Sequence, residues 1–246
     1  MRSWRTSMPG GQPNRKTTVR QIGRSGEPRD QHHAPHTRCL SVEQCREPIQ
    51  RLVFRQIRLS HELSLASLKR QVYFDLPETI VEIGPGAGGN FGYYSPGTTV
   101  IAIEPNRWMH DRLTRNAREA GLHLVIHDTL AEETGLASCS APVVISNLVL
   151  CTVTEPAAAI TEAHRILEPG GRLIVVEHVR GQGPLLRALQ RLVRRPWRWL
   201  FEGCELNRDT AAAISAAGFS SVELTDRTYL TPFLPINSFA YGTAVK

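Results

Sequence analysis

Three glycines and two carboxylates carry the chemistry for which this sequence can be read. Thr79 to Asn90, T-I-V-E-I-G-P-G-A-G-G-N, is an apolar, β-branched run that stops at Gly84, Gly86 and Gly88. Such a run reads as a buried parallel strand whose carboxyl end turns sharply over a ligand. Glycine suits that turn because a Cβ would obstruct both a positive φ and the approach of a ligand to the backbone. Val100 to Asn106, V-I-A-I-E-P-N, ends in Glu104, a carboxylate at a strand tip that can accept both hydroxyls of a ribose. Together these features point to a nucleoside cofactor. Gly84, Gly86 and Gly89 also satisfy G-x-G-x-x-G, and an acid at this distance belongs to the dinucleotide fingerprint. Glu82 tilts the choice. It puts a negative charge where a pyrophosphate would be repelled and an amino acid's ammonium group attracted, which favours S-adenosylmethionine over NAD(P).

The elements that must position these residues follow from the periodicity. After the glycine turn, Asn90 to Tyr94 starts a short helix and Val100 opens the second strand. Asn106 to Gly121 reads as a helix with Asn106 as N-cap and Gly121 just past its end. Leu122 to His127 is the third strand and runs into His127-Asp128-Thr129-Leu130. Pro142 to Asn147 is the fourth, followed by a helix over Glu155 to Leu167. Glu168-Pro169-Gly170-Gly171 then turns tightly into a fifth strand, Arg172 to Glu177. Short β-branched runs alternating with helices demand parallel βαβ units. Beyond them come a helix over Pro184 to Phe201 interrupted by Pro196, a helix over Asn207 to Gly218, and strands over Phe219 to Asp226 and Ile236 to Val245. This end-piece suits an edge hairpin with its last strand antiparallel.

Residues 41–75 show apolar positions at helical spacing, with a bend expected at Ser60-His61, and read as a helical cap over the pocket or the sheet. Residues 1–40 are rich in Arg, Gly, Pro, Ser and His with few spaced aliphatics, and read as a disordered tail. The chain's net charge of +6 belongs to that tail: residues 1–46 hold nine Arg or Lys against three Asp or Glu, and the remainder holds twenty of each. The folded body therefore lacks the electrostatic footprint of a nucleic-acid-binding face. With 246 residues, 41% of them hydrophobic, the chain suits one α/β domain with appendages. It has no apolar run of membrane-spanning length and no apolar segment of a secretory signal near its first residues. Five cysteines without a C-x-x-C pair argue against a disulfide framework, against a zinc site, and for a reducing cytoplasm. The cluster His32, His33 and His36 is not taken as a metal site.

V-E-I-G-P-G-A-G-G-N, A-I-E-P-N, S-N-L-V-L-C-T-V, R-I-L-E-P-G-G-R, E-H-V and F-E-G-C-E-L-N-R resemble the successive motifs of class I S-adenosylmethionine-dependent methyltransferases, of methyltransferase type 11. The nearest subgroup is the methyltransferase-like thiol S-methyltransferases of animal membranes and their bacterial relatives. The resemblance runs from about Ile80 to Lys246. It implies a Rossmann-like α/β fold over residues 76–246, with a seven-stranded, mostly parallel sheet, its last strand antiparallel, helices on both faces and a lid-like helical insertion at 183–206. By position, Glu82, Gly84, Pro85, Gly86, Gly88 and Asn90 would line the methionine part of the cofactor, and Glu104 with Pro105 the ribose. Asp128, Thr129 and Leu130 would flank the adenine; Asn147 and Leu148 would pass beneath the methyl group. Pro85 stands where the subgroup usually has Cys, and Thr129 where a Gly is common before A-E. The apolar membrane anchor of the animal proteins is replaced by the Arg-rich tail, so a membrane location does not carry over.

Methyl transfer from a sulfonium is an in-line displacement, catalysed largely by alignment in a dry pocket. A thiol acceptor, with a pKa of about 8.5, is already partly ionised at neutral pH, whereas an alcohol or phenol needs a base. His178, expected on the rim after strand five, is the best-placed titratable group for that base, or else bonds backbone at a strand end. Glu177 reads as a structural partner of the lid helix. Cys151 and Cys204 read as packing residues, the latter alternatively touching substrate. The lid presents Arg187, Arg191, Arg194 and Arg198 on one face and Leu185, Leu189, Leu192 and Val193 on another. That face is solvated, attracts an anionic or aromatic acceptor, or makes peripheral contact with acidic lipid over 184–201. The expected partner is a small-molecule acceptor, a thiol or a hydroxyl; an RNA- or protein-directed methyltransferase using the tail, and a non-catalytic cofactor-binding protein, are the alternatives.

Overall fold

In the computed structural model the chain divides into residues 1–39 and residues 40–246, and the structure describes residues 65–201, 203–228 and 238–246. The expectations of a disordered tail and of a bend at Ser60-His61 lie outside those residues. Of the helical cap, residues 65–75 are described, and 65–72 form helix α1. Seven strands follow: β1 (Thr79–Ile83), β2 (Thr99–Ile103), β3 (His123–His127), β4 (Ala141–Asn147), β5 (Leu167–His178), β6 (Ser221–Thr228) and β7 (Ser238–Val245). They form one sheet in the order β3-β2-β1-β4-β5-β7-β6, with β7 antiparallel to both neighbours and the β1 to β5 pairs parallel. The intervening helices are α2 (Arg107–Glu119), α3 (Pro156–Ile166), α4 (Pro184–Leu200) and α5 (Thr210–Ser215).

The central strands are continuously apolar because both faces are covered. Ile80, Val100, Ala102, Val143, Ile145, Ile174 and Val176 point to one side, where Leu65 and Leu68 of α1 and Leu113 and Ala117 of α2 pack on them. Their sequence neighbours Val81, Ile83, Ile103, Val144, Leu173 and Val175 point the other way, against Ala159, Ile160 and Ala163 of α3 and Ile214 of α5. This alternation is the two-residue period of a strand. α2 begins with the Asn106 side chain accepting from the Trp108 amide. It ends in a Schellman motif, with Gly121 N donating to Arg118 O and Leu122 N to Ala117 O and Gly121 at φ +70°, as Asn106 and Gly121 foretold.

Three local expectations need correction. α4 runs unbroken through Pro196, because that residue lies on the solvent face, where water can take the carbonyl its missing N–H leaves free. The turn Glu168–Gly171 is absorbed into β5 as an irregularity: pairing steps from Ala141↔Leu167 directly to Val143↔Arg172, and Lys246 N donates to Gly171 O. α5 is shorter than predicted, since Asp209, not Asn207, caps it by accepting from Ala212 N. Among the described residues no helix is long and apolar enough to cross a membrane.

Candidate functional site

The strand order reverses between β1 and β4, and open α/β sheets bind ligands at the carboxyl ends beside such a reversal. The predicted residues gather there. Gly84, Gly86 and Gly88 all have positive φ, at +58°, +57° and +82°, but they do two different jobs. A Cβ on Gly84 would strike Val149 Cγ2 at 2.6 Å, and one on Gly88 would strike the ring of Phe91. A Cβ on Gly86 meets nothing within 4 Å. Gly86 therefore keeps an open cradle, while the other two keep the protein's own packing. Pro85 is buried, and its carbonyl accepts from Gly88 N at 2.9 Å, which closes the turn.

Glu104 spans this turn and the start of α2. Its Oε2 accepts from Gly86 N at 2.8 Å and its Oε1 from Asn106 N at 2.9 Å. Pro105 is exposed. Glu82 does not present a free carboxylate to the cradle. Asn90 Nδ2 donates to its Oε1 at 2.6 Å and Tyr94 Oη to its Oε2 at 2.8 Å. Burial pushes the Glu82 carboxyl above its usual range, against the pull of those two bonds and of the Lys69 charge. The chain of amides continues, since Asn147 Nδ2 donates to Asn90 Oδ1 at 3.3 Å. Asn147 Oδ1 is buried without a partner among the described residues. Leu148, at φ +60°, follows with its N–H donating to Val176 O. An open glycine cradle, a carboxylate at the next strand tip and an orphaned amide oxygen beneath them fit a nucleoside-bearing amino acid.

At the end of β3 the adenine side is less enclosed. Asp128 pairs with Arg107, Thr129 Oγ1 donates to Thr134 O at 3.3 Å, and Leu130 is exposed. Glu104 N donates to His127 O at 3.0 Å, so this loop adjoins the ribose carboxylate. Trp108, the second residue of α2 and 93% exposed, was not singled out from the sequence.

The β5 side corrects two expectations. His178 is not on the rim: it is 6% exposed, its ring 4.8 Å from that of Phe239 and its Nδ1 3.9 Å from Cys151 Sγ. It is buried among side chains from β7 and the loop after β4. Cys204 joins this cluster, with the three donor atoms all within 4.8 Å of one another. The hydrogen bond with Cys151, then the neighbouring His178 and Trp197, pull the Cys204 thiol below its usual range, while the same pairing and burial push Cys151 up. Glu177 does not pair with α4. Its Oε1 accepts from Ser146 Oγ, Val149 N and Leu150 N and so anchors the loop after β4; burial pushes its carboxyl up. Tyr73, which the sequence offered no signal for beyond helical spacing, has a buried hydroxyl without a partner among the described residues. Burial, then the charges of Glu82 and Glu177, push its phenol well above the usual range.

α4 turns Leu189, Gln190, Val193 and Trp197 inward, and Trp197 stacks on Phe201 at 3.9 Å. Leu185 and Leu192, set by helical spacing on one face with Leu189 and Val193, are 84% and 79% exposed. The arginine face is partly spent within the protein: Arg194 grips Glu205 through two nitrogens and Arg198 reaches the same carboxylate at 3.0 Å. A separate cleft of about 440 Å³, lined by Leu76, Pro142, Glu168 and Arg172 among others, opens at the amino ends of β4 and β5, away from these groups.

Residues 81–175 match the family model described as a methyltransferase domain. The chain is 33% identical over 195 residues to the thiol S-methyltransferase TMT1B of Rattus norvegicus, covering 74% of this chain and 80% of that one. It is 31% identical, with the same coverage, to the human thiol S-methyltransferase TMT1A. Among solved structures, a putative methyltransferase from Bacillus halodurans superposes with a TM-score of 0.56 at 15% identity, over 74% of this chain and 96% of that one.

Proposed function

The chain belongs to the class I S-adenosylmethionine-dependent methyltransferases, close to the thiol S-methyltransferases, and from that premise we propose that its acceptor is the sulfur of a small-molecule thiol. What carries the acceptor class is the match to thiol S-methyltransferases across four-fifths of their length; the fold alone would serve any acceptor. S-adenosylmethionine, when bound, supplies an electrophilic methyl group on a sulfonium. The residues of this chain that would hold it are Gly86, whose missing Cβ leaves room, Glu104 at the ribose, and Asn147 with its orphaned Oδ1. A thiol needs alignment more than it needs a base, so the burial of His178 is no obstacle to this chemistry.

The test is a binding titration with S-adenosylhomocysteine followed by an acceptor screen on the full chain, pairing alkyl and aryl thiols with the matching alcohols and phenols. Methyl thioether formation, with the oxygen analogues inert, is the expected result. Methylation of the phenols alone would sink the thiol acceptor. Binding without turnover on any acceptor would make the protein a non-catalytic partner, and turnover of RNA or protein that vanishes with residues 1–40 would move the substrate to the macromolecular class. Outward-facing Leu185 and Leu192 beside Arg191 and Arg195 support contact of α4 with acidic lipid. Binding to anionic vesicles that survives Leu185→Glu with Leu192→Glu would refute that contact.

A further inference from the structure

We propose that Cys151, His178 and Cys204 form a binding site for a soft divalent metal ion of the zinc class. The three come from separate segments, the loop after β4, the last residue of β5 and the loop after α4, yet one donor atom of each lies within 4.8 Å of the other two. Tetrahedral zinc bonds of about 2.0–2.3 Å place neighbouring donors roughly 3.5–3.8 Å apart. Cys151 Sγ and His178 Nδ1, at 3.9 Å, are already close to that spacing, and the rest of the cluster needs to contract by less than about 1 Å.

The backbone around the cluster is pinned by groups that are not donors. Glu205 N donates to Cys151 O at 2.7 Å, which ties the residue after Cys204 to Cys151 itself. The Arg208 guanidinium bonds Leu150 O. Glu177 Oε1 holds the amides of Val149 and Leu150 from the strand that carries His178. Such supports orient metal-binding side chains before the ion arrives. All three side chains are buried, at 1%, 6% and 6% exposure, where an ion must be neutralised. Two thiolates and a neutral imidazole balance a divalent cation. Soft sulfur donors with one imidazole select zinc-like ions and disfavour magnesium or calcium. Three protein donors also leave a fourth position open, the pattern of zinc sites that hold water or a substrate. This assignment runs against the expectation of no zinc site drawn from the absence of C-x-x-C, a spacing rule blind to donors brought together by the fold.

The experiment is metal analysis of the purified full chain, then cobalt(II) titration of the reduced, chelator-stripped protein. Zinc at about one per chain is expected, with a saturable cobalt spectrum of tetrahedral ligand-field bands and thiolate-to-cobalt charge transfer. Cys204→Ser and His178→Ala should each lose at least tenfold in metal affinity, while Cys139→Ser, at an exposed cysteine, should retain it. Where a variant fails to fold, the wild-type cobalt spectrum decides. Octahedral cobalt without charge transfer overturns the site. So does zinc that persists in Cys204→Ser and disappears when His32, His33 and His36 are replaced, which would place the ion on the tail. These readouts do not depend on which acceptor is methylated.

Discussion

The two halves of the site are held by different kinds of interaction. On the β1–β2 side the working parts are backbone: glycines at positive φ, and a carboxylate, Glu104, whose two oxygens take the amides of Gly86 and Asn106. On the β5–α4 side they are side chains drawn from distant segments: Cys151, His178 and Cys204, with donor atoms within 4.8 Å of one another, and Glu177, which holds the amides of Val149 and Leu150 before Cys151. On the reading proposed above the first half would hold the cofactor, and a backbone device tolerates little variation in residue type. The second half would on that reading lie toward the acceptor, where side chains can be exchanged without rebuilding the turn. A disturbance on one side should therefore leave the other's property intact.

The largest expected effect is that of Glu104→Ala. It removes a charged acceptor from two amides, each such bond contributing about 1.5–3 kcal/mol, and it exposes the glycine turn to rearrangement. S-adenosylhomocysteine binding measured by calorimetry should weaken about 100-fold or more, equivalent to roughly 3 kcal/mol, with far-ultraviolet circular dichroism unchanged. An affinity within twofold of wild type would break the division of labour at its strongest point.

Within the glycine turn the comparison sharpens to two neighbours. Gly86→Ala places a methyl group in the open cradle; the left-handed backbone costs about 1–2 kcal/mol of stability, and cofactor affinity should fall about tenfold in addition. Gly84→Ala drives a Cβ into Val149, so about 1–3 kcal/mol of overpacking joins the same backbone cost and the loss appears mainly as a lowered melting temperature. Equal effects on melting and binding from both variants would deny Gly86 its special place.

Tyr73 meets Tyr93 and Tyr94 and feels the charges of both Glu82 and Glu177, so it stands between the two sides; Tyr73→Phe removes a buried hydroxyl that has no partner among the described residues. Stability should hold or rise by up to about 1 kcal/mol, since an unmet polar group disappears, and cofactor affinity should stay within twofold. A fall in kcat of severalfold with a thiol acceptor would then mark Tyr73 as part of the acceptor side; unchanged kcat would return it to the core.

The same contrast explains what was legible in the sequence. T-I-V-E-I-G-P-G-A-G-G-N, I-E-P-N and the pair Asn106 and Gly121 are local signals, in which the residues that act are also the residues that set the backbone. They located the cradle, the α2 caps and the parallel sheet. His178 was misplaced on the rim because its burial is decided by Phe239 of β7 and by Cys151 and Cys204, none of them near it in the chain. Helical spacing set Leu185, Leu189, Leu192 and Val193 on one stripe of α4 but could not say what meets the core: Leu185 and Leu192 are exposed, while Gln190 is buried and Trp197 half-buried. Pro196 breaks an isolated helix more readily than one whose proline lies on the solvent side. Cys151 and Cys204 each lie in a motif, S-N-L-V-L-C-T-V and F-E-G-C-E-L-N-R, but nothing local says that the two meet; Tyr73 carries no motif, and only tertiary contact reveals it.

The smallest effect concerns acid, and it turns on sign. The Glu82 and Glu177 carboxyls are raised by burial, so the stability linked to their protonated forms is present at low pH and lost as pH rises through their folded values. Neither half of the site should drive acid unfolding. Glu162 behaves oppositely: the Arg165 hydrogen bond, aided by Thr134, lowers it from 4.5 to about 2. Its contribution is present above the ordinary carboxylate value and is lost as pH falls toward about 2. Arg165 is 39% exposed, and screening there limits the effect to roughly 1 kcal/mol. Denaturant melts of wild type and Glu162→Gln should accordingly differ at neutral pH and converge as the pH drops below about 4. Convergence in the opposite direction, toward alkaline pH, would mean that folding stabilises Glu162 in its protonated form and would remove its pairing with Arg165 as the scaffold's acid-sensitive contact.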